Sequence, residues 1–188
     1  MLAEGRVRFQ ATRFTDAFLI EAERALDARG YFMRTYCARA FAERGLETTF
    51  VQDSTSFSKL RGTVRGMHFQ KAPHEEVKVV RCLKGAILDV IIDVRPTSWT
   101  FLQAQAFELS ADNERQLYIP KGFAHGFQTL VDDVLVGYMI SAYYAPESAT
   151  GLRYDDPACP IKWPLTITEI NDKDRAWADF AVDQRRSK

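Results

Sequence analysis

Apolar and polar positions alternate in short runs through the middle of this 188-residue chain, and turn residues separate the runs. Val77–Leu83 (VKVVRCL) and Ala86–Val94 (AILDVIIDV) flank Lys84-Gly85, a dipeptide that predicts a two-residue hairpin. Phe101–Leu109 mixes Phe101, Phe107 and Leu109 with Gln103, Gln105 and Glu108 and is expected as a further strand. Arg115–Pro120, Gly126–Val131 and Val134–Tyr143 add three short apolar segments, divided by Lys121-Gly122 and Asp132-Asp133. Val7–Phe9 and Phe18–Ile20 predict further strands near the start. Strands and turns at this spacing predict an all-β sandwich or barrel. Two helices are expected: Cys37–Arg44, stopped by Gly45, and Asp172–Val182, with acidic residues in its first turn. Pro146 to Pro164 holds four of the seven prolines and reads as an irregular segment packed over the barrel. No linker or internal repeat interrupts the pattern, so one domain over residues 1–188 is expected.

Charge narrows the choice of partner. Lys+Arg 25 balance Asp+Glu 25, and a chain without basic excess does not suit nucleic acid or an anionic membrane. Hydrophobic residues at 46% against 27% charged exclude a disordered chain. Cys37, Cys82 and Cys159 have no CxxC spacing, so neither a disulfide framework nor a zinc knuckle is suggested, and a reduced, cytoplasmic protein is expected. The first ten residues lack the apolar stretch of a signal peptide. The most apolar run, Ala86–Val94, is broken by Asp89 and Asp93 and falls far short of a membrane span.

Three histidines occur. His74 lies in a polar turn and is expected to face solvent. His125 follows a Pro/Gly turn that re-enters a strand, where a buried histidine bonded to backbone and a substrate contact are equal readings. His68 lies in a run where strand alternation sends Met67 and Phe69 to the opposite face. The spacing Pro120-x-Gly122-x-x-His125 resembles the second signature of cupin barrels. Metal-binding cupins also carry a His-x-His, and here that strand reads His68-Phe69-Gln70. A cupin-like jelly roll is therefore expected, and a metal site is not.

Longer stretches carry a closer resemblance. Thr63–Gln70 (TVRGMHFQ), Lys78–Arg81 (KVVR), Asp89–Arg95 (DVIIDVR) and Glu108–Asn113 (ELSADN) occur in order. Arg115–Phe127 (RQLYIPKGFAHGF), Tyr143–Glu147 (YYAPE), Asp155–Pro157 (DDP), Ile161–Leu165 (IKWPL) and Lys173-Asp174 follow them. Upstream lie Asp27–Phe32 (DARGYF) and Phe50–Asp53 (FVQD). Over roughly residues 18–175 this series resembles the dTDP-4-dehydrorhamnose 3,5-epimerase family.

The resemblance implies a jelly-roll homodimer that inverts C3 and C5 of a nucleotide-diphosphate-linked 4-keto-6-deoxyhexose, with no metal and no organic cofactor. A hydrogen beside a ketone is acidic because its removal gives an enolate. Such chemistry needs a base, an acid on the other face and a cation for the oxyanion. By the resemblance, His68 is the base, Asp174 orients it, Tyr138 returns the proton and Lys78 stands near the ketone oxygen. Arg65 and Arg29 correspond to arginines that hold the diphosphate. Gln52, His125, Tyr144 and Lys173 correspond to further ligand contacts, with Tyr144 placed to stack on the base.

Some positions depart from the family pattern. Arg34 stands where the family has a carboxylate near the nucleotide, Ser54 where it has Asn, and Ala149 where it has an acid. A guanidinium only donates hydrogen bonds where a carboxylate accepts them, so dTDP is expected to bind less tightly than at least one other nucleoside diphosphate. Inversion at one carbon only, or a GDP- or CDP-linked sugar, is the nearest alternative activity. A non-catalytic cupin-like sugar-binding module is the alternative from another class, and it would have no need of His68, Asp174 and Tyr138.

Overall fold

The computed structural model describes residues 6–180. Thirteen strands and two short helices are found among them. β1 (Val7–Ala11) and β2 (Phe18–Ala22) precede a small hairpin of β3 (Arg24–Asp27) and β4 (Gly30–Met33), then α1 (Ala38–Ala42). β5 (Gln52–Ser58), β6 (Val64–Gln70), β7 (Lys78–Lys84) and β8 (Ala86–Asp93) follow. β9 (Ala104–Ser110), β10 (Gln116–Ile119), β11 (Phe123–Thr129), β12 (Val134–Ile140), β13 (Ala149–Gly151) and α2 (Asp172–Arg175) complete the order.

Two antiparallel sheets face each other in the cupin-like jelly roll. One runs β1-β2-β10-β7-β12-β5 and the other β13-β6-β11-β8-β9. Alternation along each strand fills the space between them: Val80, Cys82, Leu117, Ile119 and Val136 meet Ile87, Ile91, Leu109, Phe123 and Phe127. The outer faces are covered as well. Phe41 of α1 packs on Ile20, Val77, Val79 and Tyr118 behind the six-stranded sheet. Leu152, Cys159, Trp163 and Phe180 lie on Met67, Val90 and Ile92 behind the other. Burial on both faces explains why β8 reads as a nearly continuous apolar run.

Several boundaries differ from those expected. Lys84-Gly85 makes no hairpin, because β7 already pairs with β10 and β12 while β8 pairs with β9 and β11. The dipeptide instead turns the chain from one sheet into the other, with Gly85 at φ +81°. Phe101 stays outside β9. The hydroxyls of Ser98 and Thr100 donate to Asp93 Oδ2 at 2.5 and 2.6 Å, which holds this stretch as a turn. β12 ends at Ile140, and the Pro146–Pro164 segment contains a strand, β13, paired with β6. The closing helix spans only Asp172–Arg175, and Phe180 N donates to Asp156 Oδ2 at 2.6 Å in non-helical chain. Val182 lies outside the described residues. No helix among those residues is long and apolar enough to cross a membrane.

Candidate active site

One end of the space between the sheets holds polar side chains instead of core. Ser56 of β5, Lys78 of β7 and Tyr138 of β12 come from the six-stranded sheet; Arg65 and His68 of β6 and His125 of β11 come from the other. Together they line a cavity of about 470 Å³, closed at the rim by Glu169–Asn171 and Asp174. A second cavity of about 340 Å³ shares His68, Lys78, Ile140, Asn171 and Asp174 with it and extends to Gln52, Tyr144 and Lys173. The combined space is of the size that takes a small ligand.

A β-bulge brings Arg65 and His68 to one face. His125 pairs with His68, but Phe127 pairs with Arg65, so three steps on β6 oppose two on β11. The extra residue shifts the alternation, sending Met67 to the outer cluster while Arg65 and His68 both face the cavity. Gly66 permits it. At φ +125° a Cβ there would lie 2.5 Å from Gly126 Cα, so no side chain fits between the two backbones.

His68 Nε2 is 2.6 Å from Asp174 Oδ1; the histidine is half-exposed and the aspartate only 2% exposed. Asp174 sits in the first turn of α2, where Asn171 Oδ1 accepts from the Lys173 and Asp174 amides at 2.7 and 3.2 Å. Its carboxylate turns away from that helix and also accepts from Gly66 N at 3.2 Å. Burial pushes the Asp174 carboxyl up, but the hydrogen bond and charge of His68 and the Gly66 N–H outweigh it and hold the group below the usual aspartate range.

Across the cavity, the Tyr138 hydroxyl lies 2.9 Å from Ser56 Oγ, and its ring meets His125 edge-on at 6.3 Å. Burial raises the Tyr138 phenol well above its ordinary value, so it stays protonated and able to donate. Lys78 Nζ is 2.8 Å from Glu76 Oε1. Arg65 donates to Ser58 Oγ at 3.0 Å and Phe57 O at 2.8 Å, which fixes its guanidinium at the cavity edge. His125 is buried and bonds a carboxylate, not backbone: its Nε2 lies 2.7 Å from Asp89 Oδ1. Asp89 is fully buried and its Oδ2 has no hydrogen-bond partner. That burial raises the carboxyl despite the charge and hydrogen bond of His125.

The remaining expected residues divide into two groups. Gln52 Oε1 accepts from Tyr144 N at 3.2 Å at the wider mouth, where Tyr144 is exposed and the Lys173 ammonium sits 5.5 Å from the Trp177 ring centroid. Ser54 is exposed on β5 between Gln52 and Ser56, and Ala149 lines the mouth. Arg29 and Arg34, by contrast, do not line either cavity. Arg29 tips the β3–β4 hairpin, ion-paired to Asp27 at 2.5 Å, and that hairpin joins neither large sheet. Arg34 follows β4. The two arginines are thus not brought to this chain's own cavity.

Sequence reasoning passed over Asp89, Glu76, Ser56 and Asn171. Asp89 had a signal, since it falls between Ile87 and Ile91 on the inner face of β8, where a carboxylate needs a partner. Among the described residues, no three His, Cys, Asp or Glu side chains are grouped to hold a metal ion.

A histidine base held by a carboxylate, a protonated phenol from the opposite sheet and an ammonium beside them can move a carbon-bound proton and steady the resulting oxyanion. Residues 11–182 match the family model described as dTDP-4-dehydrorhamnose 3,5-epimerase. The enzyme of that name from Methanothermobacter thermautotrophicus is 43% identical over 173 residues, 90% of this chain and 92% of its own. The crystal structure of the Bacillus anthracis enzyme, with TDP and PPi bound, superposes with a TM-score of 0.90 at 42% identity, covering 93% of this chain and all of that one. The Legionella pneumophila enzyme in complex with dTDP-4-keto-L-rhamnose gives a TM-score of 0.85 at 37% identity, covering 91% of each chain. The chain belongs to the dTDP-4-dehydrorhamnose 3,5-epimerase family.

Proposed function

We propose that this protein is an isomerase that inverts C3 and C5 of a dTDP-linked 4-keto-6-deoxyhexose, in deoxysugar biosynthesis. The observation that carries the reading is the convergence of His68–Asp174, Tyr138 and Lys78 on one cavity. His68 takes the proton from the carbon beside the ketone, and Asp174 stabilises the imidazolium that forms. Lys78 faces the charge growing on the ketone oxygen. Tyr138 delivers a proton to the opposite face, which inverts the centre. Arg65 holds the diphosphate, and Gln52, Tyr144 and Lys173 meet the remainder of the nucleotide at the mouth.

The chain acts as a homodimer in this reading. Leu26, Tyr31 and Phe32 of the β3–β4 hairpin are exposed, and a second copy that covers them would receive Arg29 and Arg34 at its own cavity. Three unpaired cysteines suit the cytoplasm.

The test is NMR detection of solvent deuterium entering C3 and C5 of the dTDP sugar, run with wild type and Tyr138→Phe. Wild type should exchange both positions. The variant should still exchange through His68 while product forms more slowly than deuterium enters. No wash-in by wild type would remove the assignment. Titration calorimetry with dTDP, UDP, GDP and CDP tests the nucleotide. If Arg34 acts on the base, dTDP is not the tightest ligand, by about one to two decades in affinity.

A further inference from the structure

Lys78 is tied to a carboxylate that plays no part in the chemistry above. Glu76 and Lys78 are only 12% and 11% exposed, and their charged atoms are 2.8 Å apart. Strand alternation creates the pair. Val77 and Val79 turn outward into the cluster under α1, so the residues on either side of Val77 turn into the cavity. The backbone there is pinned, because Val77 N donates to Ser141 Oγ at 2.8 Å and Ser141 N donates to Val77 O at 3.0 Å. One turn earlier, Gln70 Nε2 donates to His74 O at 2.8 Å and fixes the approach.

A lysine head group rides on a flexible four-carbon stem. On an open surface an ion pair adds little and leaves the stem mobile, since water competes for both ends. Here both ends are largely withdrawn from water. An ammonium has three N–H donors, so one bond to Glu76 leaves two for a ketone oxygen. The carboxylate opposes the enolate charge, so its contribution must lie in where it puts Nζ.

We propose that Glu76 is a positioning residue of the epimerisation, holding Lys78 Nζ where the enolate oxygen forms and touching no reacting atom itself. The inference rests on the role given to Lys78 above.

Deuterium wash-in at saturating dTDP-linked 4-keto-6-deoxyhexose tests it, with Glu76→Ala, Glu76→Gln, Lys78→Ala and the Glu76→Ala/Lys78→Ala double variant. Glu76→Ala should lower the saturated rate roughly ten- to a hundredfold, the scale of a misplaced catalytic group, with little change in KM. Glu76→Gln, whose carbonyl still accepts from Nζ, should recover most of the rate. In the double variant the loss should equal that of Lys78→Ala alone, because a residue that acts only through Lys78 has nothing further to lose. Wild-type rate in Glu76→Ala, or losses that add in the double variant, would overturn the proposal. Should Glu76→Ala not fold, Glu76→Asp carries the same comparison: it withdraws the carboxylate by one methylene, and its loss must vanish in the Lys78→Ala background. Wild-type exchange in Lys78→Ala would instead remove the role of Lys78, and Glu76's with it, while leaving His68 untouched.

Discussion

His68 and His125 are cross-strand partners on β6 and β11, and each meets an aspartate through Nε2, at 2.6 and 2.7 Å. Their settings differ. The His68 side chain is 46% exposed and that of His125 6%. Asp174 arrives from the far end of the chain and accepts a second bond from Gly66 N. Asp89 comes from the adjoining strand β8 and leaves one oxygen without a partner. Depth decides what each pair can do. A base must reach a proton on a ligand, and only the outer histidine has room for one. The inner pair has its carboxylate sealed in the core and its imidazole against Tyr138, so it holds the wall behind the phenol in place.

The largest expected effect follows from that assignment. His68→Ala should lower the rate of deuterium wash-in by about 10²–10⁴-fold, the usual contribution of a general base. Its unfolding midpoint in urea should fall less than that of His125→Ala, because Asp174 keeps the Gly66 N–H when the imidazole is gone. Exchange at the wild-type rate would remove His68 from the mechanism and the comparison with it.

The inner pair should answer in stability. His125→Ala strips Asp89 of its single side-chain partner in a fully buried site, and breaking such a pair costs about 3–5 kcal/mol. For a chain of this length that is roughly 6–20 °C in melting temperature. Urea titration of the two alanine variants side by side measures the contrast. Equal midpoints for His68→Ala and His125→Ala would mean that burial does not separate the two pairs.

Much of this architecture was legible in the chain. The Val-, Ile- and Phe-rich runs gave β7, β8 and β12, since two covered faces leave a strong apolar signal. β5 (QDSTSFS) was missed by pattern alone, because it edges its sheet and its cavity side is polar. The Lys84-Gly85 turn was misread because hairpin chemistry is local, whereas the edge each strand offers is settled by distant partners. The order of motifs placed His68, Tyr138, Lys78 and Asp174, and the structure brings those four together. Asp89 and Glu76 escaped because each matters through a partner, and partners depend on register. Arg29 and Arg34 differ in the other direction: the β3–β4 hairpin beside them joins neither large sheet, so neither arginine lines a cavity of this chain.

The smallest effects separate the two aspartates by sign. The Asp174 carboxyl is held below the usual aspartate value, so the native state binds its proton less tightly than the unfolded chain does. Its contribution to stability is therefore fully present above about pH 4, the ordinary aspartate range, and is lost as pH falls through the native value. Asp89 is raised by burial, so the native state binds that proton more tightly. Its contribution is present below about pH 4 and is lost as pH rises through the native value. Asparagine keeps the size of each side chain and removes the titration. The stability difference between wild type and Asp174→Asn should therefore shrink on acidification, whereas that between wild type and Asp89→Asn should grow. One proton limits either slope to about 1.4 kcal/mol per pH unit. Urea unfolding of the three proteins from about pH 3 to 8 gives both slopes. Slopes of the same sign would mean that His125 compensates the burial of Asp89 as fully as His68 does that of Asp174, and the contrast between an outer and an inner pair would then rest on access alone.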